Sequence, residues 1–368
     1  MTFARAAGIL RPMPRPIRAT ISAAALAHNL TLARAHAGPA KIWAVVKANA
    51  YGHGLLRAAQ ALSAADGFAI LDFADALQLR NAGIDKPILM LEGFFKPGDV
   101  ELLARYQLTP VIHNIDQIEM LEKAGVQGKL PVYLKVNSGM NRLGFTVDNV
   151  RLAWNALKAH AGIDSVTLMT HFADADGDSG VASQLKWFNE LTQAFEAPRS
   201  LANSAALLRF AEETRADWVR PGIMLYGCSP FSFKSAEEIG LKPAMTLGSE
   251  IIGVQQLQAG ERIGYGLTYE AAQEMTIGIV ACGYADGYPR HAPTGTPVLV
   301  AGQRAHTVGR VSMDMICVDI SDIPEAYVGT QVTLWGEGLS CDEVAASAGT
   351  VSYELLCALA PRVPVVEI

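Results

Sequence analysis

From Lys41 to about Leu241, short apolar, β-forming runs alternate with Ala- and Leu-rich stretches of helical period; beyond that point β-type runs follow one another across Gly, Pro and Asp turns. The first pattern belongs to a parallel sheet covered by helices and the second to an antiparallel sheet. The length of 368 residues also asks for two cores, because single cores seldom grow past ~250–300 residues. The sequence therefore predicts an α/β plus β protein. An N-terminal (β/α)8 TIM-like barrel is expected over 13–241 and a C-terminal, mostly antiparallel β-domain over 242–368, with 1–12 as a flexible extension.

The apolar runs of the first part are Ile42–Lys47, Gly67–Phe73, Ile88–Glu92, Thr109–His113, Val132–Val136, Val166–His171, Ser200–Asn203 and Trp218–Tyr226. Helical stretches lie between most of them: Leu55–Ala65, Asp99–Tyr106, Ile115–Ala124, Asp148–His160, Gln184–Glu196 and Ala205–Glu213. Eight such units in ~200 residues fit a closed barrel, whose chemistry gathers at the C-terminal ends of the strands. An open doubly wound sheet is the alternative, but no GxGxxG follows the first run to support it. The later runs are Ile251–Leu257, Thr276–Cys282, Pro297–Val300, His306–Val311, Met315–Ile320 and Gln331–Trp335, with Cys341–Ala348 helical. No long linker parts the halves, so a packed interface is expected. The arginine-rich, acid-free first 18 residues lack the apolar core and cleavage site of a targeting peptide. A second start at Met13, or a short floppy extension, accounts for them.

Half of the residues are hydrophobic and 18% are charged, which fills a core and excludes a disordered or collagen-like chain. A net charge of -6 gives no basic excess for nucleic acid or anionic lipid, and no apolar run reaches the ~20 residues of a membrane span. Neither partner is expected; a small-molecule ligand is. The five cysteines, Cys228, Cys282, Cys317, Cys341 and Cys357, show no CxxC pair or metal spacing, so reduced thiols in a cytoplasmic protein and no metal are expected. Asp174–Asp178 resembles the start of a calcium loop, but Ser179 stands where the turn needs glycine and Leu185 where a bidentate glutamate would bind. It reads as a solvated acidic loop.

In Ala44-Val45-Val46-Lys47-Ala48-Asn49-Ala50-Tyr51-Gly52-His53-Gly54 an apolar strand ends in a lysine and a small-residue turn. Such a lysine either snorkels to the surface or is a desolvated amine able to form a Schiff base, and the segment by itself leaves both open. Asn203-Ser204-Ala205 and Arg220-Pro221-Gly222-Ile223 shift the balance, because the loops after the last two strands are the usual phosphate site of such barrels. A phosphate-bearing aldehyde held there would present its carbonyl to Lys47. His53 reads as part of the turn rather than as a catalytic group.

Five further motifs complete a pattern: Ser138-Gly139-Met140-Asn141-Arg142-Leu143-Gly144, Met169-Thr170-His171-Phe172-Ala173, Ile263-Gly264-Tyr265-Gly266, Gly309-Arg310-Val311-Ser312-Met313-Asp314 and Ser352-Tyr353-Glu354. In order and spacing, from about Ile17 to the C-terminus, the chain resembles the pyridoxal-phosphate-dependent alanine racemases. The resemblance implies pyridoxal 5′-phosphate joined to Lys47, and L- and D-alanine interconverted through an external aldimine by two bases. Lys47 would serve the D-enantiomer and Tyr265 the L-enantiomer. It implies cofactor contacts by Tyr51, His171, Asn203, Ser204, Arg220, Gly222, Ile223 and Tyr353, and substrate contacts by Arg142 and Met313. Lys135 matches a lysine that is often carbamylated and braces the arginine, while Asn137 departs from an aspartate common in that stretch. Tyr353 and Tyr284 would narrow the entrance. In the family Tyr265 and Met313 come from the partner subunit, so a homodimer with active sites completed in trans is implied.

The chemistry supports these assignments. Inversion at a stereocentre takes a proton from one face and returns it on the other, which needs two acid-base groups. A tyrosine titrates near ~10 in water, so Tyr265 needs hydrogen bonds or positive charge, and His171 and Arg220 would form that network. An arginine can only donate, so Arg220 would leave the pyridine nitrogen unprotonated and the carbanion short-lived. Three alternatives stay open: a racemase of another amino acid such as serine or of broad specificity, a decarboxylase of the same architecture, and a non-catalytic carrier of the cofactor. The decarboxylase normally has a carboxylate where Arg220 stands, and the carrier would need no second base. D-Alanine for peptidoglycan and alanine degradation are both compatible roles.

Overall fold

The computed structural model describes residues 15–125 and 128–368; the extension expected over 1–12 and the second start at Met13 lie outside the described residues. The chain opens with β1 (Arg18–Ile21) and α1 (Ala23–Ala37), the helix capped where Ser22 Oγ accepts the Ala25 N–H at 3.1 Å. It continues through β2 (Lys41–Val45), α2 (Lys47–Tyr51), α3 (Leu55–Ala61), β3 (Gly67–Ile70), α4 (Phe73–Asn81), β4 (Ile88–Met90), α5 (Asp99–Arg105), β5 (Leu108–Ile112) and α6 (Ile115–Ala124). Then come β6 (Leu130–Lys135), α7 (Val150–Ala159), β7 (Ile163–Met169), α8 (Ala182–Thr192), β8 (Arg199–Ser200), α9 (Ser204–Arg209) and β9 (Trp218–Val219). Strands β2 to β9 close into a barrel with every neighbouring pair parallel.

The barrel strands are apolar runs because both of their faces are covered. Trp43 of β2 stacks on Trp218 of β9 at 4.3 Å between ring centroids and donates its Nε1–H to the Tyr133 hydroxyl of β6 at 2.8 Å. A Cβ at Gly67 would lie 2.2 Å from the Trp43 ring, so only glycine admits that indole. Two helices carry no strong sequence signal. Phe73 closes an apolar run yet opens α4, because Asp72 caps that helix by accepting the Ala74 N–H at 2.8 Å. The buried face of α1 includes a polar residue, Asn29, which donates to the carbonyls of Leu225 and Lys242 and accepts the Lys242 N–H. Trp218–Tyr226 is a strand only over its first two residues; Ile223–Tyr226 is a 3-10 turn after Pro221-Gly222.

The second part contains α10 (Ala236–Ile239), β10 (Met245–Leu257), β11 (Arg262–Ile263), β12 (Tyr269–Glu270), β13 (Met275–Val280), β14 (Pro297–Val300), β15 (Gln303–Val308), β16 (Ile316–Asp319) and β17 (Gln331–Trp335). It ends in α11 (Cys341–Ser347), α12 (Ser352–Cys357) and β18 (Val365–Glu367). β10 is its spine, pairing antiparallel with β1, β13 and β17. Arg18–Ile21, inside the span expected for the barrel, belongs to this sheet, antiparallel to β10 and parallel to β18. Such pairing joins strands far apart in sequence, so local pattern does not reveal it. The two halves pack directly: a Cβ at Gly52, after α2, would lie 2.2 Å from the Leu356 carbonyl oxygen of α12.

Candidate active site

β2 stops at Val45, two residues short of the lysine that sequence pattern places at its end, and Lys47 instead begins a tight turn. The four residues after it, Ala48, Asn49, Ala50 and Tyr51, have φ of 54°, 52°, 53° and 52°. Left-handed backbone costs about 1–2 kcal/mol per residue when a Cβ is present, so this turn stores strain that its surroundings must offset. Within it the Gly52 N–H donates to Ala48 O at 3.1 Å and the Gly54 N–H to Asn49 O at 2.9 Å. Asn49 Oδ1 accepts the Leu55 N–H at 2.9 Å, and His53 Nδ1 lies 3.0 and 2.9 Å from the carbonyl oxygens of Ala50 and Tyr51.

The turn opens onto a cavity of about 670 Å³ at the C-terminal mouth of the barrel. Lys47, Lys135, Arg142, His171 and Arg220 line it, with Glu92 the carboxylate among them. Burial, then Arg142, holds the Lys47 amine below its ordinary value. Burial, Arg220 and Arg142 push Lys135 down to about 8. The His171 imidazole falls to about 3, first through burial and then through Arg220, and is neutral at physiological pH. A cavity with this surplus of cations is built for an anion.

Arg220 is buried and fixed by its own chain. Its Nη1 donates to Ser200 Oγ at 2.6 Å, and Nη2 donates to the carbonyls of Thr170 and Leu201 at 2.5 and 3.1 Å. None of these bonds uses its Nε–H. Burial lowers its value to about 10, which still leaves it charged at neutral pH. No hydrogen bond joins it to His171 among the described residues; the two are linked through the field of the guanidinium.

The remaining residues expected at a phosphate gather at the same cavity: Tyr51, Asn203, Ser204, Gly222, Ile223 and Tyr353. Asn203 caps α9 by accepting the Ala206 N–H at 3.0 Å, and Ser204 Oγ accepts the Gly222 N–H at 2.9 Å. A Cβ at Gly222 would sit 2.6 Å from the Tyr51 hydroxyl, so glycine lets hydroxyl and backbone approach. Tyr353 comes from α12, its ring 6.0 Å from that of Tyr51. Before Arg142, Asn137 accepts the N–H groups of Gly139 and Asn141 and donates to Asn141 Oδ1 at 3.0 Å. An aspartate there would lack that donor.

Tyr265 and Met313 do not reach this cavity. Tyr265 lies in the loop of the β11–β12 hairpin and is 69% exposed, and Met313 precedes β16 and is 52% exposed. Their side chains are open, but the backbone under Met313 is not loose. The Tyr284 and Ala285 N–H groups donate to the carbonyls of Ser312 and Met313. Beneath them the fully buried Asp286 accepts from Arg15, Arg362 and the Gly283 N–H. Both arginines also bind Asp314, so the two ends of the chain clamp the loops carrying Tyr284 and Met313. Sequence pattern did not single out this clamp, nor Glu92, His113 and Cys357 in the cavity wall. Glu92 and His113 follow the C-terminal ends of β4 and β5, a position that marks site residues in a barrel.

A lysine in the turn after the first barrel strand, β2, facing a hydroxyl and backbone cradle in a cation-lined barrel mouth, defines a barrel suited to an anionic cofactor at an amine. The alanine racemase N-terminal domain family matches residues 21–230, and the alanine racemase C-terminal domain family matches 244–367. The alanine racemase of Paraburkholderia phytofirmans is 54% identical over 354 residues, covering 96% of this chain and 99% of that protein. The crystal structure of the biosynthetic alanine racemase from Pseudomonas aeruginosa superposes with a TM-score of 0.94 at 47% identity, covering 96% of this chain and 99% of that one. That of the Bacillus anthracis enzyme with bound L-Ala-P gives 0.83 at 32%, covering 97% and 96%. The chain belongs to the alanine racemase family, isomerases that interconvert the two enantiomers of alanine.

Proposed function

We propose that the protein interconverts L- and D-alanine with pyridoxal 5′-phosphate held at Lys47, each active site being completed by a second copy of the chain. The observation that carries this reading is the convergence of Lys47, the Tyr51–Ser204–Gly222 cradle and the buried Arg220 on one cavity. The residues fit the group. Tyr51, Ser204, Gly222, Ile223 and Tyr353 would hold its phosphate, His171 and Asn203 would flank it, and Arg220, with a free Nε–H, would stand at the pyridine nitrogen. When bound, the cofactor supplies a conjugated ring that takes up the electron pair left at Cα.

Lys47 holds and returns the proton on one face of the substrate, and its lowered value keeps a larger share of the amine unprotonated and able to act as base. Arg142 binds the substrate carboxylate, and a carbamylated Lys135 would brace it; a lysine lowered to about 8 has neutral amine available for that modification. Tyr265 of a second copy takes the opposite face, with neutral His171 offering its ring as acceptor. Its partner Met313 would contact the carboxylate. The exposed side chains of Tyr265, Leu267, Tyr284, Met313 and Met315 make an apolar face that a second copy would cover. The unpaired cysteines favour the cytoplasm, where the product would serve peptidoglycan or alanine would be degraded. Among the described residues no helix is long and apolar enough to cross a membrane.

The test is to reduce the purified protein with borohydride, locate the cofactor by peptide mass, and follow α-proton exchange of L- and D-alanine, serine and arginine in D2O. Attachment at Lys47 with exchange of both alanine enantiomers is expected. A protein that carries no reducible chromophore at Lys47 would refute the reading.

A further inference from the structure

His53 is fully buried directly after the strained turn, and its two ring nitrogens stand in unlike surroundings. Nδ1 lies within hydrogen-bond distance of two carbonyl oxygens, those of Ala50 and Tyr51, while Nε2 is buried with no partner. Carbonyl oxygens only accept, so Nδ1 must carry the proton; a second proton on Nε2 would bury an N–H without an acceptor. The ring is therefore the neutral Nδ1–H form, and burial, which depresses its value to about 4, acts in the same direction. The imidazole lies 4.7 Å from the Tyr226 ring, which in turn stacks on Tyr51 at 4.5 Å. The Tyr226 hydroxyl donates to Val45 O at 2.7 Å, at the end of β2, and Arg57 Nη1 donates to His53 O at 2.7 Å.

We infer that His53 is a positioning residue: its Nδ1–H donates to the last two carbonyls of the left-handed turn and thereby holds Lys47 at one end of that turn and Tyr51 at the other in the geometry the cavity requires. Left-handed residues with side chains persist only where the surroundings over-determine them. Here the backbone N–H groups of Gly52, His53 and Gly54 and the Asn49 side chain close the turn from within, Ala50 O already accepting the His53 N–H at 3.0 Å, and the His53 ring adds a side-chain donor at Ala50 O and at Tyr51 O. Without its donor the turn is free to relax toward right-handed backbone, which swings Tyr51 away from the Gly222 peptide. His53 itself touches neither substrate nor cofactor and acts through the backbone.

This inference rests on the reading of Lys47 as the cofactor's anchor, and its test separates the two. Asn at position 53 can place an amide N–H near the position of Nδ1, whereas Leu fills space and donates nothing. In His53→Leu, hydrogen exchange at the Gly52 and Gly54 amides should accelerate about tenfold or more, with a similar loss of affinity for pyridoxal phosphate, while His53→Asn stays within about threefold of the native protein. An Asn variant as impaired as the Leu variant, or a Leu variant that exchanges and binds like the native protein, overturns the proposal. Should the Leu variant fail to fold, the Asn variant and the nitrogen chemical shifts of the native imidazole decide: a proton on Nε2 refutes the clamp and one on Nδ1 supports it. A native protein that takes up no pyridoxal phosphate refutes the cofactor reading alone, since exchange and tautomer need no cofactor.

Discussion

At the barrel mouth Arg220 is 3% exposed and spends three hydrogen bonds on Ser200, Thr170 and Leu201, whereas on the β-domain Tyr265 is 69% exposed in the loop of a two-stranded hairpin. Both regions are preorganised in their backbone: the first by the Lys47 turn and the Ser204–Gly222 contact, the second by Asp286 and the arginines clamping it. They differ in what covers their side chains. The barrel desolvates its own groups, which is why the values of Lys47, Lys135 and His171 are displaced. The β-domain presents Tyr265 and Met313 to solvent from a rigid base. A rigid base under exposed side chains is what a face needs if it is to dock into another copy without reordering.

The strongest way to break this comparison is to inactivate each region in a separate chain. Lys47→Ala should lose at least ~10⁴-fold in racemisation, and Tyr265→Phe about 10²–10⁴-fold, with α-proton removal from L-alanine suppressed more than from D-alanine. Dissociating the two variants and reassociating them at equal ratio should then restore about a quarter of native activity, because half of the random dimers are mixed and each of those holds one intact site in trans. Proton exchange in D2O measures all three. No recovery on mixing would put both bases in one chain and end the contrast between a covered and an open half.

Arg220 gives the next largest effect. Arg220→Lys keeps the charge but loses the planar fork, so the Ser200, Thr170 and Leu201 oxygens cannot all keep their partner. Unfolding in urea should show a loss of about 3–4 kcal/mol, since buried acceptors are left unpaired. Arg220→Glu should further raise transamination at the expense of racemisation. A Lys variant with native stability and native product ratio would mean that the barrel mouth is less rigid than its hydrogen bonds imply.

The parts legible in the sequence are those set by local pattern. Alternating apolar runs give the barrel strands because each is buried on both faces, and Lys47 with the later Asn203-Ser204-Ala205 and Arg220-Pro221-Gly222-Ile223 motifs marks the cavity. What stayed hidden depends on partners distant in sequence. Asn29 interrupts the apolar face of α1 because its amide binds Leu225 and Lys242 across the fold. β1 joins the second domain through β10 and β18. The left-handed turn after Lys47 involves alanine, asparagine and tyrosine rather than glycine, so composition does not announce it. Asp286, Arg15 and Arg362 meet only because both chain ends return to one loop.

Acid should affect the barrel mouth through its histidines. The folded values of His53, about 4, and His171, about 3, lie below the ~6.5 of an unfolded chain. Between those values the unfolded state binds protons that the folded state does not, so their contribution is complete above pH ~6.5 and is lost as pH falls through about 4 for His53 and about 3 for His171. For His53, which faces Arg57 and the phenols of Tyr51 and Tyr226, the loss is on the order of 3 kcal/mol. Urea midpoints across that range should slope less in His53→Asn than in the native protein. Equal slopes would assign the acid sensitivity to His171 and the carboxylates instead.

The smallest effect belongs to the hairpin that carries Tyr265. Arg262 Nε and Nη2 both donate to Glu270 Oε2, at 2.9 and 2.7 Å, closing the stem of that hairpin, and the two side chains are 56% and 53% exposed. Water and salt screen a pair of this exposure, so Arg262→Ala should cost less than ~1 kcal/mol in stability. Added salt should erase the difference. A loss of several kcal/mol that resists salt would mean that the pair is desolvated in the working protein, and would extend the covered face from the tip of the loop down to the stem of the hairpin.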